Sequence, residues 1–121
     1  MADTFHIGWY ATGLRGAQLE NALADVSPTA LRYGATGWSL HRSLDDRYKF
    51  LMIVHFSEKD DFERWWHGQE METFRVVTSG WWQVPVLYVP NELIGSGYVE
   101  EAPVENGGGV TAPEPVAPAE A

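Results

Sequence analysis

Cysteine is absent from the 121 residues, which excludes disulfides, thiolate zinc sites and cysteine nucleophiles. No apolar run is long enough to cross a bilayer. The N-terminus, MADTFHIGWYATG, has neither the basic start nor the apolar stretch of a secretory signal, so a soluble, cytoplasmic protein is expected. Basic residues are scarce: 8 Lys and Arg stand against 17 Asp and Glu, a formal net charge of −9. With no basic cluster, nucleic acid and anionic membranes are excluded as expected partners. Nucleotide and nucleophile motifs are missing too. Gly13-Leu14-Arg15-Gly16 is too short for a dinucleotide or P-loop fingerprint, and no GxSxG occurs. The four histidines, His6, His41, His55 and His67, show no HxH or HExxH spacing, so no metal site is expected.

Aromatic side chains are abundant by contrast, with 6 Trp, 5 Tyr and 5 Phe. They suit a packed core in a chain with room for one domain. The strongest strand signal is Tyr48–Phe56, YKFLMIVHF, with no Gly or Pro to interrupt it. Tyr48, Phe50, Met52, Val54 and Phe56 share one face, while Leu51 and Ile53 share the other with Lys49 and His55. Apolar residues on both faces predict a central strand covered on both sides.

The other elements fall around it. Thr4–Ala11 alternates as a first strand. Leu19, Ala22, Leu23 and Val26 then form one stripe of an amphipathic helix starting near Arg15, which Ser27-Pro28 is expected to end. Gly34–Arg42 reads as a weaker strand, its glycines marking an edge or a bulge. A polar turn at residues 44–47 joins it to the central strand as a hairpin. A two- or four-residue loop would place His41 on the face of Phe50, and an odd loop on the other. Ser57 is the expected cap of a second helix, with Asp60 and Asp61 in its first turn. Phe62, Trp65 and Trp66 form its inner face. His67-Gly68 interrupts, Met71, Phe74 and Val77 resume the pattern, and Ser79-Gly80 stops it. Trp81–Val89 closes the set, and Pro85 demands an edge or a bulge. Residues 1–94 thus form one domain, and residues 95–121 an expected disordered, acidic tail rich in Pro, Gly and Ala.

Strand, helix, strand, strand, helix, strand is the order of an α+β, ferredoxin-like βαββαβ fold. Its four-stranded antiparallel sheet carries the helices on one face. The opposite face would display Leu51 and Ile53, with Leu87 and Val89. A patch of that kind is covered by a partner, so a homodimer or higher oligomer packed sheet to sheet is expected.

The acidic-capped DDFERWW, the break HGQE, the helical METFRVVTSG and the closing WWQVPVLYV resemble the dimeric α/β barrel superfamily, in particular its antibiotic-biosynthesis-monooxygenase-like branch. The resemblance spans residues 4 to 90 as a pattern of elements. Members of that branch include cofactor-free oxygenases of quinol- or anthrone-like substrates, haem-degrading enzymes and many proteins with no assigned activity. Haem-degrading members use an Asn on the first strand, a Trp on the second helix and a His beyond it. Trp65 or Trp66 matches the Trp, but the first strand has no Asn and Arg75-Val76 stand where the His is sought. No haem or other cofactor is therefore implied.

Two functions follow as expectations. In one, a small aromatic ligand sits between sheet and helices, lined by Trp9, Tyr10, Trp38, Trp66, Arg75, Trp82 and Tyr88. His67, beside the helix break with Glu70 three residues on, would act as the base. In the other, the chain is a non-catalytic assembly subunit that associates through its sheet face and tail, and the tryptophans simply fill the core.

Overall fold

The computed structural model describes residues 3–99. The expected disorder of residues 100–121 lies outside the described residues. Strand β1 is Asp3–Tyr10, helix α1 Gly16–Val26, strand β2 Ala35–Arg42 and strand β3 Lys49–Phe56. Helix α2 is Lys59–Trp66, helix α3 Gln69–Val77 and strand β4 Tyr88–Glu92. The sheet is antiparallel in the order β2-β3-β1-β4. The doubly apolar strand therefore lies inside the sheet, as its composition requires. Tyr48 stands just outside it, in the turn.

Register assigns the faces. Ile7 pairs with Met52 and Tyr88, and Met52 pairs with Leu40. Phe5, Ile7, Trp9, Phe50, Met52, Val54 and Phe56 all point to the helices and are buried, as are Leu19, Leu23, Phe62, Trp65, Met71 and Phe74 opposite them. Each such side chain contributes about 1.5–3 kcal/mol by leaving water. On the open face, His6 pairs with Ile53 and Val89, and His41 pairs with Leu51. The hairpin thus has the odd loop, and His41 lies away from Phe50. β2 is an edge strand with a register shift between Ala35 and Gly37, where the glycines relax the ladder.

Three local expectations need correction. Ser27-Pro28 does not stop the helical path. Ser27 stays in the α region (φ −58°, ψ −44°), and the chain tightens into a 3₁₀ helix over Ser27–Tyr33. Pro28 occupies the opening turn of the new segment, where its missing N–H is not needed. The Ser27 hydroxyl donates to the Leu23 carbonyl at 2.7 Å. Ser57 is not the cap of α2: Glu58, in extended conformation, takes that position and no side chain caps the helix. Finally, the closing strand is Tyr88–Glu92 rather than Trp81–Val89. Residues 81–87 carry only a single bridge, Trp82 to Ala11, and the Val84-Pro85 bond is cis. Gln83 still donates to the Tyr10 carbonyl at 2.9 Å, but Pro85 has no donor, and the ladder on the outer edge of β1 resumes only at Tyr88.

Candidate functional site: an apolar groove between two helices

Five of the residues expected to bind a ligand come together. The Trp9 ring lies 6.2 Å from Trp66, 5.3 Å from Phe74 and 5.4 Å from Trp82. Trp66 lies 5.6 Å from Tyr88, and the Arg75 guanidinium sits 5.1 Å above the Trp66 ring. Phe62 stacks on Phe5 at 3.9 Å and on Trp66 at 5.8 Å. These rings fill the space between sheet and helices. Trp82 Nε1 donates to Thr78 at 2.7 Å and Trp65 Nε1 to Thr29 at 3.0 Å. Arg75 donates to the Trp66 carbonyl at 2.8 Å, and partial burial lowers its pKa from the ordinary value. Tyr10 and Trp38 stand apart from this cluster. Tyr10 is on the open face, donating to Asp46 at 2.5 Å. Trp38 is on the edge strand β2, opposite Val54.

His67 terminates α2 and is exposed. Glu70 does not face it. The Tyr33 hydroxyl donates to Glu70 at 2.6 Å, and Arg32 donates to the same carboxylate at 3.2 Å. The Tyr33 bond, ahead of the Arg32 charge, holds the Glu70 carboxyl below its usual range, and the same bond raises the Tyr33 phenol. Gly68 makes this possible. A Cβ there would stand 2.6 Å from the Tyr33 hydroxyl and 2.8 Å from the Arg64 carbonyl. The break in the helix therefore admits the Tyr33 hydroxyl.

A cavity of about 560 Å³ lies instead between the C-terminal half of α1, the turn after it, and α3. Ala22, Val26, Phe74 and Val77 give it apolar walls, with Asp25, Thr29, Gln69, Glu70, Thr73 and Thr78 completing the lining. It is a groove open to solvent along one side. Its volume falls in the range of small-molecule sites, roughly 300–1,000 Å³. Two of its hydroxyls are already engaged: Thr29 donates to the Val26 carbonyl at 2.5 Å and Thr78 to the Phe74 carbonyl at 2.7 Å. Thr73, Gln69 and Asp25 make no side-chain hydrogen bond to the described residues and are free to meet a ligand.

None of the expected site residues lines this groove. The signal for it was present in the helices. Ala22 widens the apolar stripe of α1, and Val77 extends that of α3 past what the sheet can cover. Val77 is 62% exposed and Val76 76%. Sequence reasoning also left the strand histidines unplaced. The register puts His6, His41 and His55 on the same open face, yet among the described residues no three His, Asp or Glu groups are placed to hold a metal ion. Nor is any described helix long and apolar enough to cross a membrane.

No protein-family model matches the chain, and no curated protein matches it in sequence. Solved structures do match. A candidate antibiotic biosynthesis monooxygenase from Nitrosomonas europaea superposes with a TM-score of 0.71 at 15% identity, over 79% of this chain and 94% of that one. A variant of SnoaB, a cofactor-independent oxygenase from Streptomyces nogalater, gives 0.67 at 16% identity, over 78% and 95%. A candidate antibiotic biosynthesis monooxygenase from Deinococcus radiodurans gives 0.68 at 12% identity, over 83% and 99%. Likeness at such identities speaks to architecture and not to chemistry. This chain has the ferredoxin-like fold of the antibiotic-biosynthesis-monooxygenase-like proteins.

Proposed function

We propose that the chain binds a flat, electron-rich aromatic molecule in the groove between α1 and α3 and supports its oxygenation without a cofactor. The observation that carries this reading is the apolar groove itself, with Thr73, Gln69 and Asp25 free at its margin. The fold shared with a cofactor-independent oxygenase supports it. In such chemistry the substrate supplies the electrons. A quinol- or anthrone-like carbon gives up a proton, dioxygen adds there, and one oxygen becomes a carbonyl while the other leaves as water. The protein contributes an apolar wall and a proton acceptor. Asp25 is the carboxylate available in the groove. His67, the acceptor expected from the sequence, is not among the residues that line this groove.

The test measures oxygen uptake and binding with an anthrone. Thr73→Trp places an indole in the groove from an exposed helix position, so it should abolish both while leaving the fold intact. His67→Ala should change neither. Unchanged binding in Thr73→Trp would refute the site, and wild-type binding without oxygen uptake would refute the reaction alone.

A second reading rests on a different observation. The open sheet face carries Leu51, Ile53 and Val89, the last 55% exposed, beside Lys49 and three histidines. We propose that a second copy covers it, as in a dimeric α/β barrel. This association serves an assembly role equally well, with the aromatic layer between sheet and helices as plain core. The two readings part at the groove, which only the first one uses.

A further inference from the structure

We infer that the groove between α1 and α3 selects aromatic ligands that carry one positive charge, an aryl-alkyl amine rather than an aryl acid. The inference rests on the groove reading above and adds to it the charge of the ligand. Of the groove's ten lining residues two are carboxylates, Asp25 and Glu70, and none is Lys, Arg or His.

The two carboxylates are not equivalent. Glu70 is held by Tyr33 and Arg32, so its charge is largely answered within the protein. Asp25 takes part in none of the four ion pairs among the described residues, which are Arg32–Glu70, Arg42–Glu20, Lys59–Glu63 and Arg64–Asp61. It is exposed and stands one residue from the end of α1. The last carbonyls of α1 are engaged within the chain, Leu23 by Ser27 and Val26 by Thr29, so the charge of Asp25 itself sets the local potential. No basic residue occupies the last turn of α1 to offset it. The opposite wall begins at the N-terminal turn of α3, whose positive end would otherwise attract an anion. That end already carries two acidic side chains, Glu70 and Glu72. The carboxylates Asp25 and Glu70 therefore leave the groove negative, while Val26, Phe74 and Val77 supply the apolar contact for a ring. A ligand with an apolar body and an ammonium group satisfies both features at once. A carboxylate on the same ring would lie beside Asp25, while the cation next to the groove, Arg32, is already paired with Glu70.

The experiment uses three probes with one ring: 1-naphthylmethylamine, 1-naphthylmethanol and 1-naphthoate. Each is titrated into the full chain at low salt and near-neutral pH, with binding read from amide resonances of Ala22, Thr73 and Val77. The amine should bind about tenfold more tightly than the naphthoate, with the alcohol between them. Added salt should narrow the gap, since the charge is exposed. Asp25→Asn should bring the ratio close to one, whereas Asp60→Asn, an exposed carboxylate on α2, should leave it unchanged. Equal affinities for the three probes, a preference for naphthoate, or an equal effect of Asp60→Asn would overturn the charge inference while the groove stands. No shift with any probe would overturn both.

Discussion

Gly68 shows how one missing side chain organises its surroundings. The hydroxyl of Tyr33 occupies the space where a Cβ would sit, and from there it reaches Glu70. Gly68→Ala must push Tyr33 or the Arg64 carbonyl aside, and should cost about 1–3 kcal/mol in urea denaturation. The Tyr33–Glu70 bond also dictates a pH response. The depressed Glu70 carboxyl contributes stability that is present above its ordinary value of 4.5 and lost as pH falls through the lower folded value. The raised Tyr33 phenol contributes stability that is present below its ordinary value of 10.0 and lost as pH rises through the higher folded value. The denaturation midpoint of Tyr33→Phe should thus fall furthest below wild type between about pH 5 and 10, and the gap should close in acid and in strong alkali. A gap that stays the same from strong acid to strong alkali would show that the ionisation of this pair contributes nothing to it. None of this was legible in the sequence, where Glu70 reads as a neighbour of His67. Sequence spacing places the two on adjoining turns, but the partner that decides, Tyr33, comes from a 3₁₀ turn 37 residues earlier, and no local pattern announces it. Trp65, by contrast, was readable as core from its spacing with Phe62. It is fully buried, and Trp65→Ala should cost about 3–5 kcal/mol.

The elements were largely legible because their periods differ and their breakers are strong. β3 is apolar on both faces and sits inside the sheet, and α2 and α3 part at His67-Gly68 where the apolar pattern skips. Errors gathered where breaker residues have two uses. Pro28 ends a helix in one context and opens a 3₁₀ turn in another. Pro85 weakens a strand, and tertiary pairing then moved β4 on to Tyr88–Glu92. The groove escaped notice for a related reason. It is formed by flanks of α1 and α3 that touch across 40 or more residues, and helical periodicity describes each helix against the sheet rather than against its neighbour. His67→Ala, at the helix break, should leave both binding and stability near wild type, since the side chain is exposed.

At the scale of the molecule, the layered fold leaves one sheet face without a cover among the described residues. Leu51, at 36% exposure, and Ile53 beside it belong to that face. If a second copy covers them, Ile53→Lys places an unpaired charge in the interface and should yield monomers or insoluble protein by light scattering. An unchanged dimer mass would contradict that. The negative formal charge of the chain does not oppose such pairing, because the open face holds Lys49 and three histidines rather than carboxylates, apart from Asp46 bound to Tyr10. The groove lies on the other side of the molecule, among the helices, so ligand and partner need not compete. An amide-resolved NMR titration of the full chain with an anthrone decides whether the ligand goes there. Shifts confined to Ala22, Val26, Thr29, Thr73 and Val77, and lost in Thr73→Trp, are the expected result. Shifts centred on Trp66, His67 and Tyr88, or on the open sheet face, would contradict it.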